Sequence, residues 1–134
     1  MTDYTFRRAV RADVPLLIGL AGGTGSGKTY SLLQLAKGMT PEGKRFAFID
    51  TEAGRGLAYA DAFDYDYVEL RPDFTPARYL EVIKAADTAG YPVIVIDSFS
   101  HEYAGHGGLM DWHDAELDRL VAREAAQQAH SIRH

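Results

Sequence analysis

The stretch Gly22-Gly23-Thr24-Gly25-Ser26-Gly27-Lys28-Thr29 constrains this chain more than any other, because it fits the phosphate-binding pattern G-x-x-x-x-G-K-[ST] between a strand-like and a helix-like run. Glycines let the backbone take positive φ and turn successive N–H groups toward one anion. Lys28 would then reach the β and γ phosphates, and the Thr29 hydroxyl would hold Mg²⁺. A helix beginning there points the positive end of its dipole at the phosphates. Tyr30, the next residue, is counted with the nucleotide-binding set.

Hydrophobic patterning supplies the frame. Leu16 to Ala21 is a nearly unbroken apolar run ending in glycine, as expected of a buried parallel strand that feeds a phosphate loop. Before it, Phe6 to Val10 alternates in the manner of an edge strand that Asp13 and Pro15 break. Leu32, Leu33, Leu35 and Ala36 give one helical face, which Gly38 and the Thr40 to Gly43 turn close. Arg45 to Asp50 reads as a strand, Leu57 to Phe63 as a short helix, Tyr67 to Leu70 as a strand and Ala77 to Ala89 as a helix.

Pro92 to Asp97 is the most β-branched segment and is expected to be a central strand buried on both faces. A glycine- and histidine-rich loop, Ser98 to Gly108, leads to a final helix capped by Asp111, with Leu117, Leu120, Val121 and Ala125 on one side. Alternating strands and helices predict an α/β fold, a mostly parallel sheet flanked by helices. At 134 residues the chain is sized for a single domain over 1–134, which the phosphate-loop pattern marks as of the P-loop NTPase kind.

In a parallel sheet the ligand sits at the carboxyl ends of the strands. The glycine loop, Asp50-Thr51-Glu52 and Asp97-Ser98 all fall at such ends. A carboxylate closing a β-branched strand is out of place unless something cationic meets it, which makes Asp97 a Mg²⁺-supporting aspartate beside Thr29. Hydrolysis of a γ-phosphate also needs a group that orients water, and Glu52 and Glu102 are the carboxylates placed for it. Spacing alone does not separate them.

With no cysteine, disulfides and thiolate zinc sites are excluded, and a reducing compartment, the cytoplasm, is the expected location. No apolar run approaches the roughly 20 residues that span a bilayer, so no membrane partner is expected. A net charge of −5 gives no global attraction for nucleic acid, and Arg7, Arg8 and Arg11 form only a local cluster. His101, His106 and His113 are zinc-ligand types whose spacing fits no standard zinc motif, so loop hydrogen bonds are their expected role. Trp112 is read as a packing anchor.

Phe46-Ala47-Phe48-Ile49-Asp50-Thr51-Glu52-Ala53, with Val93-Ile94-Val95-Ile96-Asp97-Ser98 after it, resembles the ATPase core of the RecA-type recombinases. The resemblance implies a RecA-like P-loop NTPase core, favours Glu52 over Glu102 as the water-activating residue, and places Tyr59 on adenine. Leu16 to Gly22, Thr51 to Gly56 and Asp97 to Tyr103 with Gly107-Gly108-Leu109 are also similar to phage-encoded AAA-type ATPases associated with single-strand annealing. That likeness implies ATP or ADP and Mg²⁺ as cofactors, a homo-oligomer, single-stranded DNA as a partner, and a role in phage DNA recombination or repair in the host cytoplasm. Further strands that the family places after the last helix have no counterpart beyond Leu120. Two other readings stand beside an ATPase: a nucleotide-dependent DNA-binding accessory with little turnover, and a small-molecule kinase, which the scattered Arg55, Arg71 and Arg78 do not favour.

Overall fold

The structure, a computed structural model, describes residues 4–12 and 14–131. Its centre is a three-stranded parallel sheet in the order β2-β1-β3, from β1 (Phe46–Asp50), β2 (Tyr65–Glu69) and β3 (Ile94–Asp97). Around it lie α1 (Lys28–Met39), a 3₁₀ turn (Arg55–Tyr59), α2 (Pro76–Thr88), the short α3 (Ser100–Ala104) and α4 (Leu109–Ser131).

β1 is the strand buried on both faces, and the two-residue period of a strand sorts its side chains. Phe46 and Phe48 join Leu33 and Ala36 of α1, Phe63 and Val95 in one cluster. Ile49 faces the other way and packs with Leu70, Phe74 and Tyr79. Burying each of these large side chains contributes about 1.5–3 kcal/mol, so β1 is where the two half-cores are joined. Thr75 starts α2 by accepting from the Arg78 N–H at 3.3 Å, and Pro76 follows at the position where a missing N–H is harmless. At the end of α1, Thr40 closes the last turn by donating both its N–H and its hydroxyl to the Ala36 carbonyl; Gly38 lies within the helix and is not its stop.

Other expectations are corrected. Pro92 to Asp97 forms not the central strand but an edge: β3 pairs with β1 alone, and Val95 is its one buried member. Neither Phe6 to Val10 nor Leu16 to Ala21 is a strand; Leu17 is 102% exposed, and Asp13 lies outside the described residues. A strand needs a paired neighbour as well as an apolar pattern, and among the described residues neither segment pairs with the outer edges of β2 or β3. Finally, Leu117, Leu120 and Val121 of α4 remain exposed, because among the described residues no other element covers that side. α4 begins at Leu109, with Asp111 in its first turn accepting from the Gly107 N–H at 2.8 Å. No helix among the described residues is long and apolar enough to cross a membrane.

Candidate functional site

The glycine loop wraps the amino end of α1. Gly25 (φ 77) and Gly27 (φ 83) are left-handed, a conformation that costs an L side chain about 1–2 kcal/mol. At Gly22 a Cβ would stand 2.7 Å from Ser26 Oγ, so the loop folds back closely on itself there and a larger residue would need Ser26 to turn away. Ser31 is the first helical N–H to reach back, to the Gly27 carbonyl at 3.0 Å. The first-turn N–H groups ahead of it have no helical acceptor and suit an anion. Lys28 Nζ lies over the loop and donates to the carbonyls of Gly22 at 2.6 Å and Gly23 at 2.8 Å.

Parallel register places a row of carboxylates at one sheet edge: Asp50 is opposite Glu69 on one side and Asp97 on the other. Each meets a different donor set. Glu69 holds Arg71 at 3.1 Å. Asp97 Oδ2 accepts from the Thr29 hydroxyl at 2.5 Å. Asp50 is 0% exposed and accepts from the Glu52 N–H at 2.6 Å, the Gly56 N–H at 2.7 Å and the Tyr67 hydroxyl at 2.9 Å. Burial first, and then the bond to Asp50, raises the Tyr67 phenol above its ordinary value. Burial and the charge of Asp50 do the same to Tyr65.

Asp50 therefore builds the loop that carries Glu52. Its bond to the N–H two residues on is an Asx turn, and the backbone then passes through left-handed Ala53 (φ 56) and Gly54 (φ 89). Gly56 must be glycine, since a Cβ there would lie 2.5 Å from the Phe48 ring. Glu52 is half-buried, with Arg55 at 3.8 Å and His101 at 3.9 Å, both beyond hydrogen-bonding distance.

A cleft of about 1030 Å³ joins these parts, lined by residues 22–27 of the loop, Lys28, Thr29, Glu52, Arg55, Tyr59 and Asp97. A hollow of about 580 Å³ at the other end of β1, between Lys37, Phe46 and Phe63, lies away from the carboxylate row. The hydroxyl of Thr29 against the carboxylate of Asp97 is an oxygen donor set that fits Mg²⁺, which takes one or two protein ligands and completes its shell with water and phosphate.

A family profile described as an AAA domain matches residues 15–117. The chain belongs to this AAA domain family. No curated protein and no solved structure matches it. The matched span of the AAA domain runs from before the glycine loop into α4, so it contains every residue of the cleft named above. Membership makes this a nucleotide-binding, ATPase-type domain.

Within this AAA domain the structure brings Gly22, Gly23, Thr24, Gly25, Ser26, Gly27, Lys28, Thr29, Glu52, Tyr59 and Asp97 to one cleft. Tyr30 stands outside it: its ring meets Phe63 edge-on at 5.6 Å, and its hydroxyl accepts from Gln34 at 2.9 Å. The three histidines face separate partners: His101 meets Thr51, His106 lies 3.2 Å from Asp73, and His113 lies 3.2 Å from Asp114. Asp50 was not singled out from the sequence as a site residue. It carries the same signal as Asp97, a carboxylate closing an apolar strand, and differs only in where the chain goes next.

Proposed function

We propose that this AAA domain binds ATP with Mg²⁺ in the cleft and hydrolyses its γ-phosphate. The observation that carries the reading is the Thr29–Asp97 pair, which sets a cation-binding oxygen pair against a left-handed glycine loop, with Glu52 in the same cleft. Loop N–H groups and Lys28 hold phosphate oxygens, Lys28 exchanging the Gly22 and Gly23 carbonyls for them. Thr29 and Asp97 are the residues that would hold Mg²⁺, which when bound neutralises charge on the β and γ phosphates. Glu52 orients a water and takes its proton as the water oxygen bonds to the γ-phosphorus and the bridging P–O bond breaks, leaving ADP and phosphate. Tyr59 packs against the adenine.

The test is phosphate release from ATP with and without Mg²⁺, in the parent and in Glu52→Gln. Mg²⁺-dependent release that the substitution abolishes while ATP still binds is the expected result. Release at the parental rate from Glu52→Gln would remove the glutamate from its role.

Service in phage DNA recombination, as a homo-oligomer acting on single-stranded DNA, is proposed on the resemblance to phage-encoded ATPases. With a net charge of −5, any DNA contact is local. Stimulation of turnover by single strands at low salt, with particle mass measured in the same buffer, is the expected outcome. ATP-dependent DNA binding without turnover would favour the accessory reading instead, and no DNA binding at low salt would remove the DNA role.

A further inference from the structure

Thr51, next to Glu52, has a hydroxyl with three hydrogen-bond partners within 2.9 Å: the Ser98 carbonyl at 2.8 Å, the Ser98 N–H at 2.8 Å and His101 Nδ1 at 2.9 Å. A hydroxyl offers one proton and two lone pairs. The Ser98 N–H occupies one lone pair. The carbonyl has no proton of its own, and two oxygens at 2.8 Å with none between them repel, so the hydroxyl proton goes there. The second lone pair is left for His101, whose Nδ1 must therefore carry a proton.

The geometry points to His101 as a positioning residue for Glu52, acting through Thr51. This rests on the reading of Glu52 as the group that orients water. Three anchors fix the Thr51–Glu52 peptide: the Glu52 N–H on Asp50, the Thr51 N–H on the Asp97 carbonyl at 2.8 Å, and the Thr51 hydroxyl clamped between Ser98 and His101. The third ties Glu52 to the chain just after Asp97 and so sets one carboxylate relative to the other. His101 is itself held. Its ring stacks on Phe74 at 4.9 Å between centroids, and a Cβ at Gly105 or Gly108 would come within 2.5 or 2.8 Å of its carbonyl oxygen. Phe74 is fixed in turn by its N–H on the His106 carbonyl at 2.8 Å. The glycines of the loop after α3 thus let the chain pack against the residue that presents the imidazole.

His101→Phe keeps a ring to stack on Phe74 and removes the donor, whereas His101→Asn keeps an N–H near the position of Nδ1. His101→Phe should lower kcat for ATP about 10- to 100-fold, the cost of a displaced catalytic group, with KM changed by less than about twofold. His101→Asn should restore kcat to within about threefold of the parent. In ¹⁵N-labelled parent protein, two-dimensional NMR of the imidazole nitrogens should show neutral His101 as the Nδ1–H tautomer. The Nε2–H tautomer, a parental kcat in His101→Phe, or equal losses in both variants would each overturn the assignment. If His101→Phe does not fold, the tautomer in the parent decides. Glu52→Gln in the same assay separates the two readings: parental turnover there removes the role of Glu52 and this one with it. Slow turnover there alongside a parental His101→Phe removes this one alone.

Discussion

Thr29 Oγ1 donates to Asp97 Oδ2 at 2.5 Å, joining the start of α1 to the end of β3 across 68 residues of sequence. The bond registers the glycine loop against the sheet edge, and both of its oxygens suit a hard cation. In metal-free protein, a double-mutant cycle of Thr29→Ala and Asp97→Ala should give a coupling of about 1.5–3 kcal/mol by urea unfolding, as for a hydrogen bond to a charged group. Adding Mg²⁺ and ATP should stabilise the parent and not the double variant. Additive single effects would mean that the two side chains do not meet.

Lys28→Ala should weaken ATP binding about 10- to 100-fold, the loss of a charge-assisted contact to phosphate, by titration calorimetry. Its two bonds are to exposed loop carbonyls, so unfolding free energy should change by less than about 0.5 kcal/mol. Binding at parental affinity would contradict the phosphate assignment.

Glu52→Gln should lower kcat by about 10² to 10⁴ while ATP affinity stays within about threefold, because only proton transfer to the side chain is lost. Single-turnover phosphate release and equilibrium nucleotide binding measure the two terms separately.

Asp50→Ala leaves the N–H groups of Glu52 and Gly56 and the Tyr67 hydroxyl without an acceptor, and should cost roughly 3–5 kcal/mol. Tyr67→Phe removes one donor and should cost about 1–2 kcal/mol by denaturant unfolding near neutral pH. A smaller loss for Asp50→Ala than for Tyr67→Phe would mean that the loop does not depend on this carboxylate.

The raised Tyr67 phenol also predicts a pH dependence. Its folded value lies above the ordinary value of about 10, so the unfolded chain loses that proton first as pH rises. The stabilisation is fully present below about pH 10 and is lost as pH climbs from there through the folded value. Tyr67→Phe should remove part of the fall in stability seen above pH 10, and an unchanged alkaline limb would refute the raised phenol.

How much was legible from sequence follows the range of the physics. The glycine pattern set the left-handed loop because φ > 0 at Gly25 and Gly27 is a local property of the residue type. α1, α2 and β1 were legible from apolar spacing, since burying one face of a helix or strand writes a period into the chain. Glu52 was separated from Glu102 only by family resemblance, because both are carboxylates just past a strand.

What tertiary structure decided is what depends on neighbours. Val93 to Ile96 has the composition of a central strand, yet among the described residues it is β1 that is paired in register on both sides. Leu16 to Ala21 has a strand's pattern and, among the described residues, pairs with no strand, so it carries no ladder. Asp50 and Asp97 close their strands with the same residue type; packing made the first a fully buried support for the Glu52 loop and left the second facing Thr29 in the cleft. Sequence by itself determined the glycine loop and the residue types of its partners. Their division of labour came from burial and hydrogen-bond partners, which belong to no residue alone.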